Sequence, residues 1–75
     1  MAIINIESEV TGKVWKIVAI AGTVVEEEGT ILIIESMKME IGVTVPSAGT
    51  VVEVLVSEGD DVLEGQSVAR FDPAS

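Results

Sequence analysis

Near the middle of the chain, Glu35-Ser36-Met37-Lys38-Met39-Glu40 places one primary amine between two thioether side chains, with a carboxylate at either end. Lys38 is one of only three Lys in the protein. A solvent-facing amine of this kind is a nucleophile when neutral and can accept an acyl group. Met is unbranched and polarizable, so Met37 and Met39 suit the shallow pockets of a modifying enzyme. The same spacing also fits a solubilising turn Lys between two core Met residues. Spacing alone leaves both readings open.

The remaining inventory narrows the chemistry. The 75 residues contain no Cys and no His. That excludes a thiol nucleophile, a Ser-His-Asp triad, a disulfide framework and the usual zinc and iron–sulfur ligand sets. Neither catalytic residues nor a metal site are expected. Asp60 and Asp61 beside Gly59 fall short of the oxygen ligands a calcium loop needs, and turn formation explains them. The run Glu26-Glu27-Glu28 reads as a solvated turn or as a dock for a basic partner. Trp15 is a candidate ligand or partner contact, and Phe71 a core residue.

Thirteen acidic and four basic side chains leave a net charge of −9. Phosphate and anionic lipid are repelled, so no nucleic acid and no membrane is expected as a partner. No apolar run approaches the roughly 18 residues of a membrane span. The first residues also lack a basic region followed by an apolar core. The expectation is a soluble cytoplasmic protein, or a mitochondrial or plastid matrix one if the chain is a piece of something larger.

The composition also says which elements must position Lys38. Thirteen Val, nine Ile and five Thr stand against three Leu. Stiff β-branched side chains pack well on pleated strands and lose rotamer freedom in helices. Seven Gly and two Pro cut the chain into short apolar pieces, leaving no room for a long helix. An all-β domain spanning 1–75 is expected. Its strands fall near Ile3–Ile6, Gly12–Ile20, Ile31–Glu35, Met39–Val45, Gly49–Val56 and Ser67–Phe71, with short pairings around Val25 and Val62.

A shift of 37 residues superposes Gly12 on Gly49, Val14 on Val51, Gly22 on Gly59, Val25 on Val62 and Glu27 on Glu64. Ile31 then meets Val68, and Ile34 meets Phe71. Two copies of one strand unit, related by an approximate two-fold, are the simplest reading, since neither half alone could bury its apolar face. Val51, Val52, Val54, Leu55 and Val56 cannot all face inward, which calls for a bulge near Val52 and near its counterpart Trp15. Glu28 occupies the place of Gly65, so the two turns are expected to differ in type, or Glu28 takes a positive φ at a cost of roughly 1–2 kcal/mol.

The halves meet at Ile34–Ile41, where two apolar strands join with no Gly, Pro, Asn or Asp between them. Tight hairpins favour such residues because their loops need positive φ. Met-Lys at that place points to selection for something other than turn stability.

Glu35-Ser36-Met37-Lys38-Met39-Glu40 resembles the attachment motif of biotinyl domains, the biotin carboxyl carrier family. Pro46, Gly49, Val51, Val56, Gly59, Asp60, Val62 and Gly65 resemble the family pattern downstream of that motif. Gly12, Val14, Gly22 and Val25 resemble it upstream. Three places depart from it: Ser36 replaces the common Ala, Glu9 and Val10 stand where Pro is usual, and Glu28 replaces a turn Gly.

The resemblance implies a flattened barrel or sandwich of two four-stranded antiparallel sheets, monomeric, with the modified Lys on a hairpin. Equal spacing of Gly12–Gly22 and Gly49–Gly59 leaves no insertion for the "thumb" of some members, which implies the thumbless type. It also implies covalent biotin on Lys38, with Met37 and Met39 as flanking recognition and Glu35, Ser36 and Glu40 as ligase contacts. The implied partners are a biotin protein ligase, a biotin carboxylase and a carboxyltransferase, with this domain as carrier and not as catalyst. A lipoyl carrier shares the fold, but typical lipoyl domains resemble Asp-Lys-Ala at that turn. An interaction module with unmodified Lys38 is the alternative of a different class.

Overall fold

The β-branched runs form eight strands in the computed structural model, which describes residues 2–73; residues 1, 74 and 75 of the expected domain lie outside the described part. The strands are β1 (Ile4–Glu7), β2 (Gly12–Ile17), β3 (Val24–Val25), β4 (Thr30–Ser36), β5 (Met39–Thr44), β6 (Gly49–Val54), β7 (Asp61–Val62) and β8 (Ser67–Asp72). They build two four-stranded antiparallel sheets, ordered β1-β8-β6-β3 and β5-β4-β2-β7. No helix occurs among the described residues.

Each sheet draws strands from both halves of the repeat. Exchanging β1 with β5, β8 with β4, β6 with β2 and β3 with β7 turns one sheet order into the other. The buried residues obey the same exchange. Ile31, Leu32 and Ile34 of β4 match Val68, Ala69 and Phe71 of β8, and all six are fully buried. Val14 with Val51 and Val25 with Val62 extend the shared core. A fully buried side chain of this size contributes about 1.5–3 kcal/mol, and each half supplies the face that covers the other.

Both expected bulges are present. The β2–β4 register shifts between Val14 and Lys16, and the β6–β8 register between Val51 and Glu53. Trp15 and Val52 are the extra residues. Each bulge turns its side chain outward, leaving Trp15 49% exposed. Strand β2 is shorter than Gly12–Ile20 because the Val18 and Ala19 amides both donate to the Ile31 carbonyl, which ends the ladder. Strand β6 likewise stops at Val54, where the Leu55 amide donates to the Val68 carbonyl.

The expected difference between the two turns is not found. Glu28 has φ 64° and Gly65 has φ 85°. The Gly29 amide donates to the Glu26 carbonyl as the Gln66 amide does to Leu63. The Glu28 amide reaches the Val45 carbonyl and the Gly65 amide the Ser8 carbonyl, at 2.9 and 2.7 Å. These bonds to a second segment hold the turn, and losing them would cost more than one residue in the left-handed region.

Ser8 is the buried polar side chain of the core. Its hydroxyl donates to the Val10 carbonyl at 2.6 Å, so it is satisfied locally.

Candidate functional site

Strands β4 and β5 form the hairpin that joins the two halves, with Ile34 opposite Ile41, Glu35 opposite Glu40 and Ser36 opposite Met39. The loop is Met37-Lys38, and both residues have positive φ, 52° and 66°. Two such residues define the mirror-image turn that matches strand twist and is normally built from Asn and Gly. The backbone thus pays for an ordinary residue twice at this tip, by about 1–2 kcal/mol each.

The turn lifts Lys38 into solvent. Met37 is 92% exposed and Met39 64% exposed, so neither is a core residue, and the solubilising-turn reading loses its two buried Met. Among the described residues no carboxylate lies within ion-pairing distance of Lys38. An amine with no ion pair among the described residues has none to break before it reacts.

Glu35 and Glu40 face each other directly across the hairpin and are exposed. Like charges in that relation cost a few tenths of a kcal/mol. Lys13, opposite Glu35 in the ladder, pairs at 3.6 Å with Asp61. Both side chains are mostly exposed, so the pair contributes little. Ser36 is half-buried, and its hydroxyl donates to the Thr11 carbonyl at 2.8 Å.

Beside the tip lies an open groove of about 520 Å³, bounded by Lys38 and Met37 on one side and by Gly12, Asp61 and Leu63 on the other. A second, of about 230 Å³, runs between the edge strands β1 and β5. Among the described residues no cluster of three or more acidic side chains could hold a metal ion. Asp60 accepts a hydrogen bond from the Ser57 amide at 2.8 Å, the turn role expected of it. Glu26, Glu27 and Glu28 are exposed in their turn.

All six residues of the central motif therefore meet at one hairpin. Sequence reasoning passed over Thr11 and Glu64, which the fold brings to the same end: the Glu64 amide donates to the Thr11 hydroxyl at 3.0 Å. The one signal was the repeat, which matches Thr11 with a residue of different chemistry, Ala48.

The profile of a family described as "Biotin-requiring enzyme" matches residues 5–71. The chain is 39% identical over 62 residues to urea amidolyase of Saccharomyces cerevisiae, covering 83% of this chain and 3% of that protein. It is 39% identical over 61 residues to the biotin/lipoyl attachment protein of Bacillus subtilis, covering 81% of this chain and 84% of the other. The crystal structure of Kluyveromyces lactis urea carboxylase superposes with a TM-score of 0.90 and 38% identity, over 96% of this chain and 6% of that one. The chain thus spans a small part of the two urea-converting relatives and most of the Bacillus one.

Proposed function

As this chain belongs to the biotin/lipoyl attachment family, we propose that it is a biotin carboxyl carrier, modified on the Lys38 Nζ. The observation that carries the reading is the Met37-Lys38 turn, which accepts strained backbone at two positions in order to present an unpaired amine between two exposed Met side chains. Relatives that are a urea amidolyase and a urea carboxylase support biotin over lipoate.

A ligase would join the biotin carboxyl, activated with ATP, to the neutral Nζ. One amide bond forms, the activating group leaves and the amine gives up one proton. Met37 and Met39 offer adaptable apolar contacts to the ligase, and Glu35, Ser36 and Glu40 line its approach. When attached, biotin supplies a ring nitrogen that takes up a carboxyl group at a biotin carboxylase and releases it at a carboxyltransferase. The chain's own part is to hold the arm. A tether makes each encounter effectively intramolecular, at roughly mM local concentration for a short linker, and the packed sheets keep its root in one place.

The name of the Bacillus relative, a biotin/lipoyl attachment protein, covers lipoate as well, which keeps a lipoyl carrier as the second reading. The test is intact mass with fragmentation after co-expression with a biotin ligase plus biotin, and separately with a lipoate ligase plus lipoate. One biotin increment on Lys38, lost in Lys38→Arg with unchanged thermal unfolding, is the expected result. Lipoate alone would move the function to the second reading. No adduct with either would leave an unmodified interaction module.

A further inference from the structure

The internal repeat provides a control for the end of the molecule that carries Lys38. Ser36 aligns with Pro73, Thr11 with Ala48 and Glu64 with Glu27. At the Lys38 end the Ser36 hydroxyl donates to the Thr11 carbonyl, and the Thr11 hydroxyl accepts from the Glu64 amide. Pro73 and Ala48 have no hydroxyl, so neither bridge can exist at the counterpart end. Backbone bonds of the turns at the two ends are matched. The Gly22 amide donates to Val51 as the Gly59 amide does to Val14, and Glu28 to Val45 as Gly65 to Ser8. One end therefore closes without the bridges, and the fold does not require them.

We propose that Ser36 and Thr11 are positioning residues that hold the Lys38 hairpin against the β1–β2 connection and the β7–β8 turn, so that a modifying ligase meets Lys38 beside a preformed groove. The inference rests on the reading of Lys38 as the acceptor. Ser36 closes the hairpin opposite Met39, immediately before the two strained residues. A bond at that point limits rocking of the tip relative to β2. Thr11 carries the restraint on to Glu64, next to Leu63 on the far wall of the groove. Tip and wall then move as one body.

The kinetic consequence differs from that of a merely stabilising contact. A ligase that binds one orientation of the tip sees an affinity reduced by the fraction of molecules in that orientation. Once the tip is seated, the amine reacts as before. Loss of a bridge therefore raises KM and leaves kcat in place.

The test is steady-state biotinylation of the whole chain by a biotin ligase with biotin and ATP, alongside amide hydrogen exchange. Ser36→Ala and Thr11→Val are each expected to raise KM about three- to tenfold with kcat within about twofold, as loss of one exposed hydrogen bond allows. Ser36→Thr and Thr11→Ser, which keep the hydroxyls, should restore wild-type KM. Thr11→Val should also speed exchange of the Glu64 amide, a readout that needs no ligase. Wild-type KM in both disrupted variants while the Glu64 amide exchanges faster, or a fall in kcat alone, overturns the proposal. Failure of the wild-type chain to accept either biotin or lipoate overturns the Lys38 reading and this inference with it, and is visible before any variant is made.

Discussion

Glu28 and Gly65 hold the same place in the repeat, in the same turn, with the same hydrogen bonds. They differ in what the left-handed backbone costs them. A Cβ on Gly65 would meet nothing within 4 Å, so backbone strain alone decides the effect of adding one. Glu28→Gly is expected to stabilise the protein by about 0.5–1 kcal/mol, and Gly65→Ala to destabilise it by about 1 kcal/mol, read from urea unfolding midpoints at unchanged m. The same kind of strain as at Glu28 also sits at Met37 and Lys38, with φ 52° and 66°, and in the proposed reading it serves presentation: Gly at either position would relax the turn and remove a contact or the amine itself.

At the scale of elements, the hairpin β4–β5 is aimed by what lies under it. Strand β2 pairs with β4 on one side and β7 on the other, and at Gly12 the backbones come close. A Cβ there would collide with the Glu35 carbonyl and lie 2.9 Å from Ile34 Cγ2. Gly49 plays the same part under β8, where a Cβ would lie 2.8 Å from the Phe71 ring. Gly12→Ala is expected to cost about 2 kcal/mol, since packed strands must part to admit the methyl group. Because the displaced strand is the one leading into Ser36, the variant should also lose protection at the Ser36 and Met39 amides, the ladder pair that closes the hairpin, in hydrogen exchange, whereas Gly49→Ala should be destabilised without that local change.

For the whole molecule, shape and charge set the behaviour. The Cα framework measures 35 × 17 × 17 Å, enough across its short directions for two stacked sheets about 10 Å apart and no enclosed cavity. Both grooves accordingly open to solvent, and a carrier role suits such a body better than an enclosed reaction site. Thirteen acidic and four basic groups crowd this small surface. The ion pairs Lys13–Asp61 and Arg70–Glu53, at 3.6 and 3.4 Å, are exposed and weak. Repulsion dominates, so salt should stabilise. Raising NaCl from about 10 mM to about 500 mM is expected to add about 1 kcal/mol, or roughly 4–8 °C in Tm by calorimetry. A fall in Tm would mean that specific ion pairs outweigh the net charge.

Much of this was legible without coordinates. β-branched composition and frequent Gly implied short strands, because both act through local backbone preference. The 37-residue repeat implied the two-fold, and too many Val in one strand implied bulges at Trp15 and Val52, because side chains alternate on a pleated backbone. A turn with no turn-forming residue marked Lys38, since local strain without local benefit has to be explained elsewhere. Tertiary structure alone decided the rest. That strands of the two halves interleave within each sheet, that Glu28 is held in the turn of Gly65 by Val45, and that Ser36, Thr11 and Glu64 meet at the Lys38 end all depend on bonds between segments far apart in sequence. Periodicity and propensity describe neighbours along the chain, and those bonds exist only once the sheets have closed.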